Sequence, residues 1–362
     1  MWNVILLVLS AMTLAGIIYL TTRVRKFTPF VRLAEKHKAL SVLLALACVL
    51  TVGFFAFINL YSVVIVFLHL VIFWALFDLG FLIGRKIAKK ERKRYIEGVC
   101  AILFTAVYLS VGWYNAHRVV ETGFSVKFSK VGSPLRIVEV ADSHLGITLD
   151  GREFAEQMER VNGTDPDVVV IVGDFVDDDS EKKDMLLACE ALGKLKTKYG
   201  VYFVYGNHDD GYFSYRDFSS KELREALTSN GVVILEDSSV EITDGVVLVG
   251  RLDRTFAKRL DAPSLTKDLD KDKYIVMLDH QPNDYDAEEK SGADLVLSGH
   301  THGGHIFPAG EIGLLIGAND RVYGSETRGG TTFFVTSGIS GWGIPFKTFC
   351  KSEYVVIDVL PE

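Results

Sequence analysis

Disulfide chemistry has little to work with in this sequence. The 362 residues include four cysteines. Cys48 and Cys100 fall in apolar runs, and Cys189 and Cys350 stand far apart in no metal-type spacing. A disulfide framework is excluded, and a single Cys189–Cys350 pair is left open. Net positive charge is also missing from the larger part of the chain. The net charge of −7 divides into +9 up to His117, from 13 Lys and Arg against 4 Asp and Glu, and −16 after it. A segment that acidic is not drawn to a phosphate backbone, so duplex nucleic acid is not an expected partner. No internal repeat or low-complexity tract is evident. The first apolar run, Val4 to Leu20, has no basic residue before it and no small-residue cleavage site after it. It reads as a retained anchor rather than a signal peptide.

What is present is apolar residue, 49% of the chain, concentrated before His117. Leu40 to Gly84 is too long for one crossing of a bilayer core that takes about 20 residues. Asn59, Tyr61 and Ser62 near its middle suit a tight turn between two helices. A further run from Val99 ends in the interfacial Trp113–Tyr114–Asn115. The sequence thus predicts a four-helix membrane module over residues 1–117, with helices near 3–22, 40–59, 62–84 and 98–117, then a linker over 118–134. Arg23, Arg25, Lys26, Arg32, Lys36 and Lys38 crowd one loop, and Arg85 to Arg94 another. The positive-inside rule puts both in the cytoplasm and the C-terminal domain outside the cytoplasmic membrane. His69 and Asp78 lie inside the third run; packing is favoured over transport for both, with Asp78 close enough to Arg85 and Lys86 to lean toward the cytoplasmic interface.

From Leu135 to Glu362 the pattern becomes β-rich runs alternating with helical stretches. The runs are 135–140, 168–172, 201–205, 246–249, 274–278, 295–297 and 333–336; the helices are 152–161, 181–199 and 220–229. Such alternation implies α/β layering with parallel strands. Metal-capable residues follow the strands directly: Asp142 and His144, Asp174, Asn207 and His208, His280, then His300 and His302. Ligand crevices in open α/β sheets lie beyond the carboxyl ends of strands. A lone Asp or His there is ordinarily turn chemistry. Five in succession, beside Gly173, Gly206 and Gly299, are not.

The stretches VADSHLG, IVGDFVDD, YGNHDD, LDHQP and SGHTHGGH together resemble the calcineurin-like metallophosphoesterase superfamily, over most of residues 136–360. With GISGWGIPFKT after a membrane portion, the chain is similar to the membrane-anchored bacterial branch, which includes cell-surface phosphoesterases; UDP-diacylglucosamine hydrolases are related. The resemblance implies a four-layer α/β/β/α sandwich with two mixed sheets. It implies two divalent ions, Mn, Fe or Zn by the mixed nitrogen and oxygen ligands. Asp142, His144 and His302 would hold one, Asn207, His280 and His300 the other, and Asp174 both. A metal-bridging hydroxide would attack the phosphorus, His208 would protonate the leaving oxygen, and Asp209 would orient His208. Asp177 matches the second acid of the GDxxD pattern and would support the ligands from behind. His305 stands where many relatives have Gln, and either touches a substrate phosphate or caps a turn.

A non-catalytic receptor on the same fold would show a missing ligand, and none is missing. A transporter would rest on His69 and Asp78 alone. Four anchoring helices exceed what tethering requires, which favours a phospholipid or glycolipid phosphate at the membrane surface, with an extracellular nucleotide or small phosphodiester as runner-up. Tyr212, Phe213, Tyr215 and Phe218, with Arg216 among them, are expected either to pack over the core or to form a lip facing the bilayer. Trp342 and Phe346 would form the opposing lip.

Overall fold

The computed structural model describes residues 2–89, 95–130, 132–212 and 216–362. It has two compact units, Met1–Val111 and Gly112–Glu362. The first is helical: α1 (Trp2–Val24), α2 (Thr28–Lys36), α3 (Lys38–Leu50) running on as a 3-10 turn over Thr51–Phe57, α4 (Leu60–Ala88) and α5 (Glu97–His117), whose last residues enter the second unit. Among the described residues, three stretches are long and apolar enough to cross a membrane: Lys38–Phe57, Leu60–Ala88 and Glu97–His117, with mean hydropathies of 2.6, 2.5 and 1.5. The turn between the first two forms where polar residues allow it. Asn59 caps α4, its Oδ1 accepting from Ser62 N and Oγ, both at 2.8 Å. The basic loop before α3 is itself helical in α2, which opens with Pro29 in its first turn.

The ionisable residues of α4 are satisfied locally. His69 is buried between Phe73 and Tyr108, with Nδ1 2.8 Å from Ile65 O. Asp78 lies toward the end of α4 that carries Arg85 and Lys86. It pairs with Arg23 and accepts from Tyr19 Oη at 3.0 Å and Tyr95 Oη at 3.3 Å. Its partners come from two other segments, which no reading along one helix reveals.

The second unit contains strands β1 (Val119–Phe128), β2 (Leu135–Val140), β3 (Val168–Val172), β4 (Val201–Val204), β5 (Val233–Ile234), β6 (Ser238–Thr243), β7 (Val246–Gly250), β8 (Tyr274–Leu278), β9 (Leu295–Ser298), β10 (Gly324–Arg328), β11 (Thr331–Val335) and β12 (Ser352–Pro361). Its helices are α6 (Gly151–Asn162), α7 (Lys182–Gly193), α8 (Ser220–Ser229), α9 (Ala262–Thr266), α10 (Tyr285–Ser291) and α11 (Ala309–Leu315). One sheet runs β1-β12-β2-β3-β4-β5 and the other β10-β11-β9-β8-β7-β6. Both are mixed: β2 to β5 are parallel while β12 runs against β2, and β7, β8, β9 and β11 are parallel while β6 and β10 run against their neighbours.

The period of two places the core. Val168, Val170 and Val172 of β3 meet Leu248 of β7 and Val276 and Leu278 of β8 between the sheets. Val169 and Ile171 face the other way, onto Phe154 and Met158 of α6 and Ala188 and Leu192 of α7. Outside the second sheet, Ala262 and Tyr285 from α9 and α10 cover Ile275, Met277 and Phe333. Both faces of these strands are buried, so they read as continuous apolar runs.

Residues 118–134, expected as a linker, hold β1, paired in parallel with β12 over its whole length. Its outward residues are polar or small, which hid it. The helix expected to reach Tyr199 stops at Gly193, where a side chain would press on Asn230 O at 2.9 Å. Cys189 and Cys350 are buried and unpaired.

Candidate metal centre

The carboxyl ends of β2, β3, β4, β8 and β9 feed loops that converge. Asp142, His144, Asp174, His300 and His302 all have positive φ, between 35° and 68°. L side chains visit that region at a cost of about 1–3 kcal/mol each unless the surroundings impose it. Here the surroundings do. Asp142 N donates to Gly173 O and His144 N to Asp174 O, each at 3.0 Å, tying the β2 loop to the β3 loop. Asp142 accepts from His300 N at 2.9 Å, tying in β9, and Asp174 Oδ1 accepts from His208 N at 2.9 Å, tying in β4. Gly206 is needed because any Cβ there would run into Asp174. A Cβ on Gly299 would lie 2.7 Å from Asp142 Oδ2.

The ligand-capable atoms fall into groups with mutual separations within 4.8 Å: Asp142, His144 and His302; Asp174, His280 and His300; and His144, Asp177 and His208. The imidazoles present their Nε2 atoms. His280 Nδ1 lies 2.9 Å from Val172 O, His302 Nδ1 3.2 Å from Ser340 O, and His144 Nδ1 3.0 Å from Asp177 Oδ2. His280 Nε2 and His144 Nε2 then approach the same Asp174 oxygen, at 3.1 and 3.5 Å. Both Nε2 atoms are buried with no hydrogen-bond partner. A buried polar atom left open is expensive, and a cation between these atoms and Asp174 removes the cost. The donor set therefore fits divalent ions.

The electrostatics agree. Burial pushes Asp174 up, yet His280 and His144 hold it well below the ordinary carboxylate range. Burial pushes His280 down, yet Asp174 and Asp142 hold it well above the ordinary imidazole range. The centre demands positive charge between those groups. Burial, with His280 beside it, lowers His300 to about 4, and burial with His144 beside it lowers His302 as well. Both are then neutral at pH 7, the form that ligates metal.

A family model described as calcineurin-like phosphoesterase matches residues 135–304. A transmembrane protein with metallophosphoesterase domain from Danio rerio is 30% identical over 321 residues, 83% of this chain and 71% of the relative. An uncharacterized metallophosphoesterase from Helicobacter pylori is 32% identical over 286 residues, 75% of this chain and 73% of that one. The chain belongs to the calcineurin-like metallophosphoesterases. It is a metal-dependent phosphoesterase. A solved dimetal phosphatase from Danio rerio is also similar, at 11% identity and a TM-score of 0.38, covering 56% of this chain and 87% of that one; that likeness is too slight to argue from.

In this phosphoesterase the surroundings of His208 differ from the sequence reading. Asp209 is wholly buried and accepts from Asp174 N, Phe175 N, Val176 N and Gly206 N at 2.7–3.1 Å. Those four bonds make it the clasp between the β3 and β4 loops. The carboxylate beside His208 is Asp177, with Oδ1 3.5 Å from Nδ1. Asp177 also receives His144 Nδ1, so one acid orients both imidazoles, which accounts for the third group of ligand-capable atoms without a third ion. Burial works against protonation of His208, but the Asp177 carboxylate beside it and the charge of Asp174 raise its pKa above the ordinary value.

Asn207 Nδ2 donates to Tyr212 Oη at 3.0 Å, and its amide oxygen, on the other side, accepts from Gln281 Nε2 at 3.4 Å. Tyr212 and Trp342 are exposed and flank His208 at ring separations of 5.0 and 5.4 Å. Phe213 and Tyr215 lie outside the described residues. Phe218 and Phe346 are buried rather than presented, Phe218 beneath the Arg216 guanidinium and Phe346 against Trp113. Arg216 donates from Nη2 to Asp209 O at 3.1 Å and from Nε to Phe218 O at 3.3 Å, while its Nη1 is buried without a partner among the described residues. His305 Nε2 lies 3.0 Å from Ile344 O, with its ring stacked on His302, so it fastens the loop that carries Trp342. Lys347 escaped the sequence reading. It is wholly buried, and its Nζ donates to Ser337 O at 2.6 Å and Gly338 O at 3.0 Å, with Gly338 pressed against Asp142. A lysine in an aromatic, glycine-rich stretch gives no hint of that along the sequence.

Proposed function

We propose that this phosphoesterase hydrolyses a phosphate ester presented at the membrane surface, a phospholipid or glycolipid phosphate, from the extracytoplasmic side of the cytoplasmic membrane. The observation that carries the reading is the join between span and sheet. α5 ends at His117 and β1 begins at Val119, leaving one residue between an apolar helix and the catalytic sheet. A domain so joined cannot range far from the bilayer. The basic run from Arg85 to Arg94 supports a cytoplasmic loop between α4 and α5, and hence an outward-facing end of α5. Counting α1 as a fourth crossing leaves that assignment unchanged. The division into a membrane module and a catalytic domain is part of the same reading.

In this proposal Asp142, His144 and His302 hold one divalent ion and Asn207, His280 and His300 a second, with Asp174 shared; Mn, Fe and Zn all suit the donors. Two such ions, when bound, polarise the phosphoryl group and acidify a water. The chain supplies the rest. His208, its Nδ1 turned to Asp177, offers Nε2 to the leaving oxygen and gives up a proton there. Tyr212 and Trp342 flank that nitrogen and shape the approach to it.

Two measurements test the proposal. A maleimide that cannot cross membranes should label Lys183→Cys on intact cells, since the Lys183 side chain is 70% exposed; labelling only after lysis reverses the orientation. Purified full-length enzyme should release phosphate, or the phosphorylated headgroup, from vesicle-embedded lipids in preference to free nucleotides. The opposite preference selects the soluble nucleotide or phosphodiester reading.

A further inference from the structure

Past the metal-facing His302, the chain leaves the core as an apolar strap. Between Ile306 and Asn319 it contains one ionisable residue, Glu311. Phe307 is 50% exposed, Ile312 51%, Leu315 85% and Ile316 72%. Phe349, itself half-exposed, stacks on Phe307 at 6.0 Å and extends the patch. Large aliphatic side chains grouped this way on a water-facing surface mark something that covers them.

What covers them is indicated by their anchorage. Lys347 N donates to Gly112 O at 2.8 Å, and Asn115 Nδ2 donates to Lys347 O at 3.2 Å. Gly112 and Asn115 flank Trp113 and Tyr114 in the last turns of α5, a helix apolar enough to cross a membrane. Trp and Tyr at the end of a span mark the level of the membrane–water interface. Lys347 therefore sits at that level, and Phe349, two residues on, lies within about 7 Å of it. Thr348 fastens the strap to the same level, its N donating to His305 O and its Oγ1 accepting from Phe307 N, both at 2.9 Å.

We propose that Phe307, Ile312, Leu315, Ile316 and Phe349 form a docking surface for the lipid bilayer, inserting at the boundary between headgroups and acyl chains beside the metal centre. This rests on the reading of α5 as a membrane span with the metal centre held near the bilayer, and it adds how the centre meets its substrate. The strap begins four residues after His302 and its neighbour Thr348 holds His305, so docking brings the ligand loop to headgroup depth. A phosphorylated lipid then reaches the centre by lateral diffusion without leaving the leaflet.

The test uses the full chain reconstituted in phosphatidylcholine–phosphatidylglycerol vesicles, with the photo-reactive residue benzoylphenylalanine in place of Leu315 or, as a control, of Leu186. Leu186 on α7 is also exposed, at 46%. Irradiation should give phospholipid adducts at Leu315, read by mass spectrometry, in large excess over Leu186. Equal yields at the two positions, or cross-links at Leu315 to a second copy of the chain, overturn the docking surface. A second variant, Leu315→Asp with Ile316→Asp, should lower kcat/KM on a vesicle-embedded phosphate ester by about tenfold or more, from the lost burial of two aliphatic side chains. Its turnover of a soluble aryl phosphodiester in detergent should stay unchanged. If the unaltered enzyme hydrolyses no lipid phosphate, the substrate reading fails, while the adduct yield at Leu315 still decides the docking.

Discussion

The two units set their buried histidines and aspartates in different surroundings. In the helical unit Asp78 is enclosed by Arg23, Tyr19 and Tyr95, and His69 turns its ring nitrogen to a carbonyl one turn back. In the α/β unit, Nε2 of His144 and Nε2 of His280 are buried and left open, aimed at one oxygen of Asp174. The difference separates structure from function. Open buried atoms occur in both units, Arg25 Nε and Glu97 Oε2 in the helical one and the Glu139 and Glu288 carboxylates in the other; what marks a place for a partner from outside the chain is two open nitrogens converging on one shared carboxylate. By that criterion the chemistry belongs to the second unit.

The sharpest way to break the comparison is Asp174→Ala. If the open nitrogens and the shared carboxylate await two ions, the variant should lose both and its turnover should fall by at least about 10³-fold. Metal content of the purified protein decides it, since full occupancy would mean that Asp174 is not shared. His208→Ala should come next in size. It should keep both ions and lose roughly 10²- to 10³-fold in kcat on alkyl esters, less on activated aryl esters that need no proton on departure. Asp177→Asn should show the same leaving-group pattern more weakly, and Asp209→Asn should not show it, because Asp209 clasps backbone. Equal losses with every leaving group would remove His208 from the proton transfer.

The site was legible because its residues are local to strand ends. Asp142, Asp174, Asn207, His280 and His300 each stand within three residues of a β run, so the sequence order of motifs was the spatial order of a rim. Relations between loops were not legible. Asp209 is adjacent to His208 in sequence but spends its oxygens on residues 174 to 176 and 206, while Asp177, 31 positions back, turns beside the imidazole. Seven of the eight central strands of the two sheets were readable as apolar runs buried on both faces; β12, between β1 and β2, was missed. β1 was not readable, because its alternation of apolar with polar or small residues gives no continuous run; neither were the exposed β6 and β10. Phe346 illustrates the same limit for aromatics: composition suggested a lip, and packing against Trp113 buries it.

Removing metal should separate the units in stability. Ions bound to the folded state alone stabilise it by about 2.7 kcal/mol for each site held near a hundred times its Kd. Chelation should therefore lower the melting temperature of the α/β unit by roughly 10 °C. The helical unit holds none of the ligands, so its far-UV helix signal should persist through that transition. A single melting step, lowered as a whole by chelation, would show that the units unfold together.

The smallest expected effect tests the other half of the comparison. Asp78→Asn keeps an oxygen that can accept from Tyr19 or Tyr95 but removes the charge facing Arg23. The two side chains are 17% and 27% exposed, between the exposed pairs worth under about 1 kcal/mol and the buried pairs that cost several when broken. A loss of about 1–2 kcal/mol in the helical unit is expected, read by unfolding in mixed detergent micelles against increasing dodecyl sulfate. Metal content and turnover of a soluble phosphodiester should not change, because every proposed ligand and His208 lies in the other unit. A fall in soluble-diester turnover with both ions retained would give Asp78 a part in the enzyme's action that its three partners do not reveal. The convergence of open nitrogens on Asp174 would then no longer locate the function by itself.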